Sequence, residues 1–139
     1  MDMGEQLISR LCASVVAHDL DTLVDCFSED YRNETPVHPA RGFAGRAQVR
    51  ANWRTMFEEM PDLCAEVLRT SVTGSDVWSE WEMRGTRSDG SLHLMRGVVI
   101  FGVGHERIGW ARFYLEPVDP GAGDVNAAVA EVVALPSQP

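Results

Sequence analysis

The feature that most constrains this chain is a change of hydrophobic period near residue 60. Before it, apolar side chains recur at helical spacing: Leu7, Ile8, Leu11, Cys12, Val15 and Val16 make one stripe over residues 4–18. His18-Asp19 breaks the stripe, and Leu20, Leu23, Val24 and Phe27 make a second, shorter one with Asp19 or Asp21 as its N-cap. A third helix is predicted from Arg46, burying Val49, Trp53, Met56 and Phe57 and ending at Met60-Pro61. Beyond that point residues 63–70, 76–86, 91–103 and 107–116 are rich in Val, Ile, Trp, Phe and Tyr and alternate in part. Thr73-Gly74-Ser75, Ser88-Asp89-Gly90 and Gly104-His105-Glu106 separate them, the last two short enough for hairpins. Three helices followed by a curled four-stranded antiparallel meander predict an α+β architecture with the helices on one face of the sheet.

The connecting segments fit that order. Tyr31 to Pro36 reads as extended because of its proline. Residues 37–45, with Pro39, Gly42 and Gly45, read as a loop. From Pro117 the chain is loop-like through Gly123, and Asp124 can cap a last short helix with Val125, Ala128, Val129 and Val132 on one face. The final Pro136-Ser137-Gln138-Pro139 is expected to fray. The expected division is therefore a domain over residues 1–118 and a tail over 119–139.

Composition narrows the partners. A chain of 139 residues is of single-domain size, long enough to hide roughly two-thirds of its unfolded surface. The net charge of −9, from 21 acidic against 12 basic residues, argues against nucleic acid and anionic membrane, which need clustered Lys and Arg. No apolar run approaches the roughly 20 residues that span a bilayer. The opening residues Met1-Asp2-Met3-Gly4-Glu5 are too acidic and polar for a signal peptide, so a cytoplasmic location is expected. Cys12, Cys26 and Cys64 are odd in number, far apart and set in apolar patterns, as buried free thiols are. The four histidines have no Cys or His within four positions, so neither a metal site nor a cofactor is expected.

Several local strings, in order, resemble the SnoaL-like branch of the nuclear transport factor 2-like superfamily over about residues 5–118. They are His18-Asp19-Leu20-Asp21-Thr22-Leu23 before Phe27-Ser28-Glu29-Asp30, Gly42-Phe43-Ala44-Gly45-Arg46 opening the third helix, Trp81 with Gly85-Thr86, and Arg107-Ile108 leading into Trp110. The resemblance implies a cone-shaped α+β barrel enclosing an apolar pocket. Members with known chemistry include limonene epoxide hydrolases, ketosteroid isomerases, scytalone dehydratases and polyketide cyclases, all acting on small, mostly apolar molecules. One such fold carries many functions, so the site has to be argued on its own residues.

Tyr31-Arg32-Asn33 is the most informative string. It resembles the Tyr-x-Asn that helps hold the attacking water in limonene epoxide hydrolases. In an extended segment residues i and i+2 face the same way, so a phenol and an amide can converge on one ligand or water. Tyr31 packed beside the second helix, with Asn33 bonded to nearby backbone, is the competing reading. The rest of that family's Asp-Arg-Asp array is missing: the matching positions hold Trp81, Met83 and Phe113, or Arg112 if the last strand shifts by one. The isomerase's general-base position corresponds to Thr35, beside Glu34, and its oxyanion-hole acid falls near Gly97.

Other candidates follow from strand parity. Ser91, His93, Met95 and Gly97 fall on one face, continued by Val99 and Phe101, together with Ser79, Trp81 and Met83. His93 then faces the cone near its edge as an acid or base titrating near neutrality, or is an edge histidine with no such role. His38 lies in the loop expected to rim the pocket, and Glu34 points away by parity. Trp53 and Trp81 read as pocket or core aromatics able to stack on a ring. His18 and His105 read as surface. The expected catalytic set is Tyr31, Asn33 and His93, and the expected ligand contacts are Trp53, Trp81, Met83, Met95, Phe113 and His38.

The opposite strand face aligns Trp78, Glu80, Glu82 and Arg84, then Arg96 with Val98 and Ile100, then Trp110, Arg112, Tyr114 and Glu116. Aromatic and Arg anchors with matched charges suit a homodimer interface. Three functions stay open at this point: an enzyme of small-molecule metabolism working on a polyketide- or terpenoid-like compound, a non-catalytic ligand-binding protein, and a dimeric protein-interaction module.

Overall fold

The computed structural model describes residues 2–134. Helix α1 (Met3–Ala17) starts where the Asp2 carboxylate accepts from the N–H groups of Gly4 and Glu5 and ends at His18, in the left-handed conformation at φ 54°. Its stripe buries Leu7, Ile8, Leu11 and Val15, whereas Cys12 is half-buried and Val16 is exposed. Helix α2 (Leu20–Asp25) is capped by Asp19, which accepts from the Thr22 N–H. It stops two residues before Phe27, which opens strand β1 (Phe27–Glu34) instead of closing the helical stripe. A 3₁₀ turn (Pro39–Arg41) and the two-residue strand β2 (Phe43–Ala44) lead to α3 (Arg46–Glu59).

The meander follows as β3 (Cys64–Thr73), β4 (Asp76–Thr86), β5 (Leu92–Gly104) and β6 (Arg107–Pro117), all antiparallel neighbours. The complete sheet has the order β2-β1-β6-β5-β4-β3. It is mixed, because β1 lies parallel to β6. The extended segment at Tyr31 is thus a full strand that lengthens the meander at its β6 edge. That pairing is interrupted: five steps along β1, from Phe27 to Arg32, match two along β6, from Ile108 to Trp110. A bulge of this size bends the strand and curls the sheet over the helices.

At Gly97 φ is 153°, and an added Cβ would collide with the Tyr114 carbonyl. Only glycine fits there. Inside the curl lies one core of α1, α2, α3 and the inner sheet face. Helix α4 (Val125–Ala134) buries none of its residues. The C-terminal Pro136-Ser137-Gln138-Pro139 lies outside the described residues.

Candidate functional site

Register fixes which side chains face inward. The β4–β5 rungs Val77–Phe101, Ser79–Val99, Trp81–Gly97, Met83–Met95 and Gly85–His93 share the inner face. On β6, Ala111 pairs Phe101, Phe113 pairs Val99 and Leu115 pairs Gly97. Phe113 therefore faces inward and Arg112 outward, where its guanidinium lies 3.8 Å from Glu34. Parallel pairing of Asn33 with Ala111 sets Asn33, and Tyr31 two residues before it, on the inner side as well.

The inner face encloses a cavity of about 30 Å³. Its lining is Leu11 and Val15 from α1, Phe27 from β1, Trp53 from α3, Trp81 and Met83 from β4, Val99 and Phe101 from β5, and Phe113 and Leu115 from β6. All ten are apolar or aromatic. A void of this size has room for a water, but a stable water also needs polar partners. The Trp81 indole N–H donates to Ser79 Oγ at 2.8 Å, and that hydroxyl donates to the Val99 carbonyl at 2.7 Å. Both groups are buried and satisfied within the sheet, so the indole presents its apolar face to the void.

Tyr31 and Asn33 form a pair beside this cavity. The Tyr31 hydroxyl donates to Asn33 Oδ1 at 2.7 Å, leaving the Asn33 amide N–H groups for another acceptor. Tyr31 is 1% exposed, and burial pushes its phenol well above the usual range. Neither residue lines the cavity: Tyr31 meets its wall through Phe27, with ring centroids 4.7 Å apart and edge-on, and touches Phe43 on another side.

The remaining candidates are dispersed. Trp53, Trp81, Met83 and Phe113 line the cavity, whereas Met95, on the same rung as Met83, packs against the core outside the lining. His93 faces inward but bounds a separate open depression with Thr55, Met56, Glu59, Met60 and Arg87 to Asp89. Its Nδ1 lies 3.4 Å from an Arg87 nitrogen, and partial burial followed by the Arg87 charge holds its pKa below the usual value. His38 Nε2 lies 3.1 Å from Glu116 Oε1, a residue on the outer parity of β6, so this loop histidine is held away from the cavity lining. His18 departs from the surface reading. Its ring stacks on Phe57 at 4.2 Å and its Nε2 lies 2.7 Å from the Leu63 carbonyl oxygen, clamping α1 to the segment before β3.

The sequence reading missed the Ser79–Trp81 relay, although a serine two residues before an inward tryptophan was its visible signal. It also missed Leu11, Val15, Phe27 and Leu115 as lining, because core and pocket walls have the same composition. Among the described residues, no group of three or more His, Cys, Asp or Glu is placed to hold a metal ion. No helix there is long and apolar enough to cross a membrane.

A family model described as the SnoaL-like domain matches residues 8–109, from within α1 to the start of β6. The chain belongs to the SnoaL-like family. Comparison with curated protein sequences finds no match for this SnoaL-like protein. Its fold is shared with solved structures of the nuclear transport factor 2-like kind. A Mycobacterium tuberculosis epoxide hydrolase like limonene epoxide hydrolase superposes with a TM-score of 0.71 at 16% identity, covering 82% of this chain and 83% of that one. IdmH, a polyketide cyclase candidate from Streptomyces antibioticus, gives 0.71 at 21% identity, covering 81% and 91%. Another M. tuberculosis protein, solved with estradiol-17beta-hemisuccinate, gives 0.71 at 18% identity, covering 82% and 94%. At these identities the likeness establishes the fold alone.

Proposed function

We propose that this SnoaL-like protein binds a small apolar molecule of polyketide- or terpenoid-like character inside the curl of its sheet, in a cytoplasmic setting. The observation that carries this is the all-apolar cavity wall, in which two tryptophans and three phenylalanines surround an unfilled void. A core with no ligand to receive has no need of a gap at the meeting point of six elements, because each unfilled volume costs packing energy. The estradiol-17beta-hemisuccinate held by one structural neighbour and the polyketide cyclase candidate among the others support the same class of ligand.

A catalytic role is the second reading, and the Tyr31–Asn33 pair favours it. Asn33 has amide hydrogens left to polarise a carbonyl or hydroxyl, with Tyr31 fixing its orientation. The wall supplies no carboxylate to move a proton: Glu34 points outward toward Arg112, and Gly97 has no room for any side chain. The site is thus better built to hold and polarise a ligand than to perform the acid–base chemistry of an epoxide hydrolase or ketosteroid isomerase.

We also infer a homodimer through the outer sheet face. Trp78 is 49% exposed and Tyr114 37% exposed there, flanked by the Glu82 carboxylate between Arg84 and Arg96. Aromatic anchors inside a ring of paired charge are the chemistry of an interface.

Native mass spectrometry of the purified protein tests the pocket, with titration of N-phenyl-1-naphthylamine followed by tryptophan emission as the companion measurement. A co-purifying small molecule, or saturable binding of one probe per chain, is expected. Absence of both would overturn the pocket reading and leave the interaction-module reading.

A further inference from the structure

The cavity is far too small for the ligand proposed for it. Small-molecule sites commonly enclose about 300–1,000 Å³, against about 30 Å³ here. Some part of the wall has to move, and two independent elements show which part.

Along the sheet, Met83 pairs Met95, and the next inward rung is Gly85 with His93. Met83 lines the cavity and His93 lines the outer depression. Inward neighbours two residues apart on a strand stand about 7 Å from each other, so the partition is one rung thick. Along α3 the same step recurs. Trp53 lines the cavity, while Thr55, Met56 and Glu59 line the depression, about one helical turn further on. The side chains at the partition are Met56, Met60, Met83 and Met95, with the Met60 sulfur resting on Gly85. Methionine is unbranched, with three rotatable bonds, and repacks at low cost where a branched or aromatic wall would not.

The depression beyond is polar. Arg87 donates to the Leu92 carbonyl at 2.7 Å and to Ser91 Oγ at 3.2 Å, and its other terminal nitrogen lies 3.4 Å from His93 Nδ1. A guanidinium only donates, so Nδ1 is the acceptor and the neutral ring carries its hydrogen on Nε2. Partial burial, followed by the nearby charge of Arg87, lowers the pKa of the ring and so disfavours its protonation. Asp89 is occupied by the Ser91 N–H at 2.9 Å and the Ser91 hydroxyl at 2.6 Å. Glu59 is the other carboxylate on the depression, and it disfavours an anionic guest. The chemistry left over is a neutral donor at a polar mouth.

Resting on the pocket reading, we propose that this depression is the mouth of the cavity and that the four methionines form its gate. The ligand is then an apolar body bearing an uncharged hydrogen-bond acceptor, a ketone or ester carbonyl, which meets His93 Nε2–H. This makes His93 a selectivity residue at the entrance.

The test compares 2-acetylnaphthalene with 2-ethylnaphthalene, nearly the same shape with and without a carbonyl. Binding of each is titrated by tryptophan emission on the wild-type protein and on His93→Leu, with thermal unfolding confirming that the variant is folded. His93→Leu is expected to weaken the ketone about five- to tenfold, the range of one hydrogen bond, and to leave the hydrocarbon within about twofold. Equal weakening of both probes, or no change in either, would overturn the mouth while leaving the pocket standing. Failure of both probes to bind the wild-type protein would overturn the pocket and the mouth together. If His93→Leu does not fold, His93→Gln, which keeps a side-chain N–H donor, is expected to hold ketone binding within about threefold. A larger loss confined to the ketone would overturn the role of the donor.

Discussion

The two faces of the central sheet are made from the same strands and differ in almost every physical respect. Along β4 the inward set Val77, Ser79, Trp81 and Met83 is buried to between 1% and 6% exposure. The intervening set begins with Trp78 at 49% and continues through Glu80, Glu82 and Arg84. Inside, the polar atoms of the Ser79–Trp81 relay are satisfied by the sheet itself. Outside, charges pair with one another, Glu82 with Arg84 along β4 and with Arg96 across to β5, and Arg69 of β3 with Glu80 at 2.9 Å. The contrast shows how a period of two lets ten-residue strands serve two purposes at once. The inner row is shaped by volume and dryness, the outer row by charge and partial exposure. Substitutions on the two rows should therefore register in different measurements.

The largest expected effect is on the inner row. Phe101 is 1% exposed and touches Trp81 and Phe113 with ring centroids 6.3 and 6.4 Å away. Phe101→Ala should cost about 3–5 kcal/mol, as fully buried aromatics do. Urea unfolding measures the loss, and a value near that of an exposed site would mean that the inner face is not packed as described. Because the new void adjoins the cavity, the variant should also accept a bulkier ligand if enough fold remains.

How much of this was legible in the sequence follows from which signals are local. The change of period near residue 60, the helical stripe through Leu7, Leu11 and Val15, and the turn residues at Ser88-Asp89-Gly90 placed α1, α3 and the meander. Strand parity alone set Trp81, Met83 and Val99 on one face, whereas on the last strand Phe113 and Arg112 stayed open until the β5–β6 register turned Phe113 inward. The parallel pairing of β1 with β6 was not legible, because it joins Asn33 to Ala111 across most of the chain and nothing in either segment specifies a partner. Phe27 was assigned to the helical stripe for a related reason, since one apolar residue fits the end of a helix or the start of a strand. At the site, the Tyr31–Asn33 spacing predicts a shared side, and the hydrogen bond between them bears out that geometry. Distance from the cavity was beyond its reach, because two residues can share a face with a void and still stand outside its wall. His93 and His38 illustrate the same limit: parity and loop position say which way a chain runs, and rung number along the curl decides which space a side chain enters.

A smaller effect separates the pair at the cavity's flank from the dry wall itself. Tyr31→Phe keeps the ring that packs on Phe27 and removes one hydroxyl, at an expected cost of about 0.5–1.5 kcal/mol. Its pH dependence is the sharper readout. The phenol is held above its unfolded value of about 10, so the folded state retains the proton while the unfolded chain releases it. The contribution is present in full below pH of about 10 and is lost progressively above it. Wild-type stability should fall between pH of about 10 and 11, with part of that slope missing in Tyr31→Phe. Urea midpoints at stepped pH measure the difference, and identical slopes would mean that the phenol is solvated rather than enclosed by Phe27, Phe43 and Asn33.

The smallest effect on folding is expected from the outer row, where a quite different measurement should respond. Trp78 is half exposed beside Ile100, so Trp78→Glu should change the unfolding free energy by only about 0.5 kcal/mol, as surface substitutions do. If that face joins two copies, the same change introduces an unpaired carboxylate at an aromatic anchor, and such positions commonly cost about 2 kcal/mol or more of binding. Sedimentation velocity over a dilution series then separates the two rows: a dimeric wild type, and a Trp78→Glu variant whose dissociation constant is raised more than tenfold at nearly unchanged stability. A wild type that sediments as a monomer at high concentration would remove the interface from the outer face. A variant that unfolds as readily as Phe101→Ala would remove the distinction between the rows, because it would mean that Trp78 supports the fold as strongly as the inner wall does.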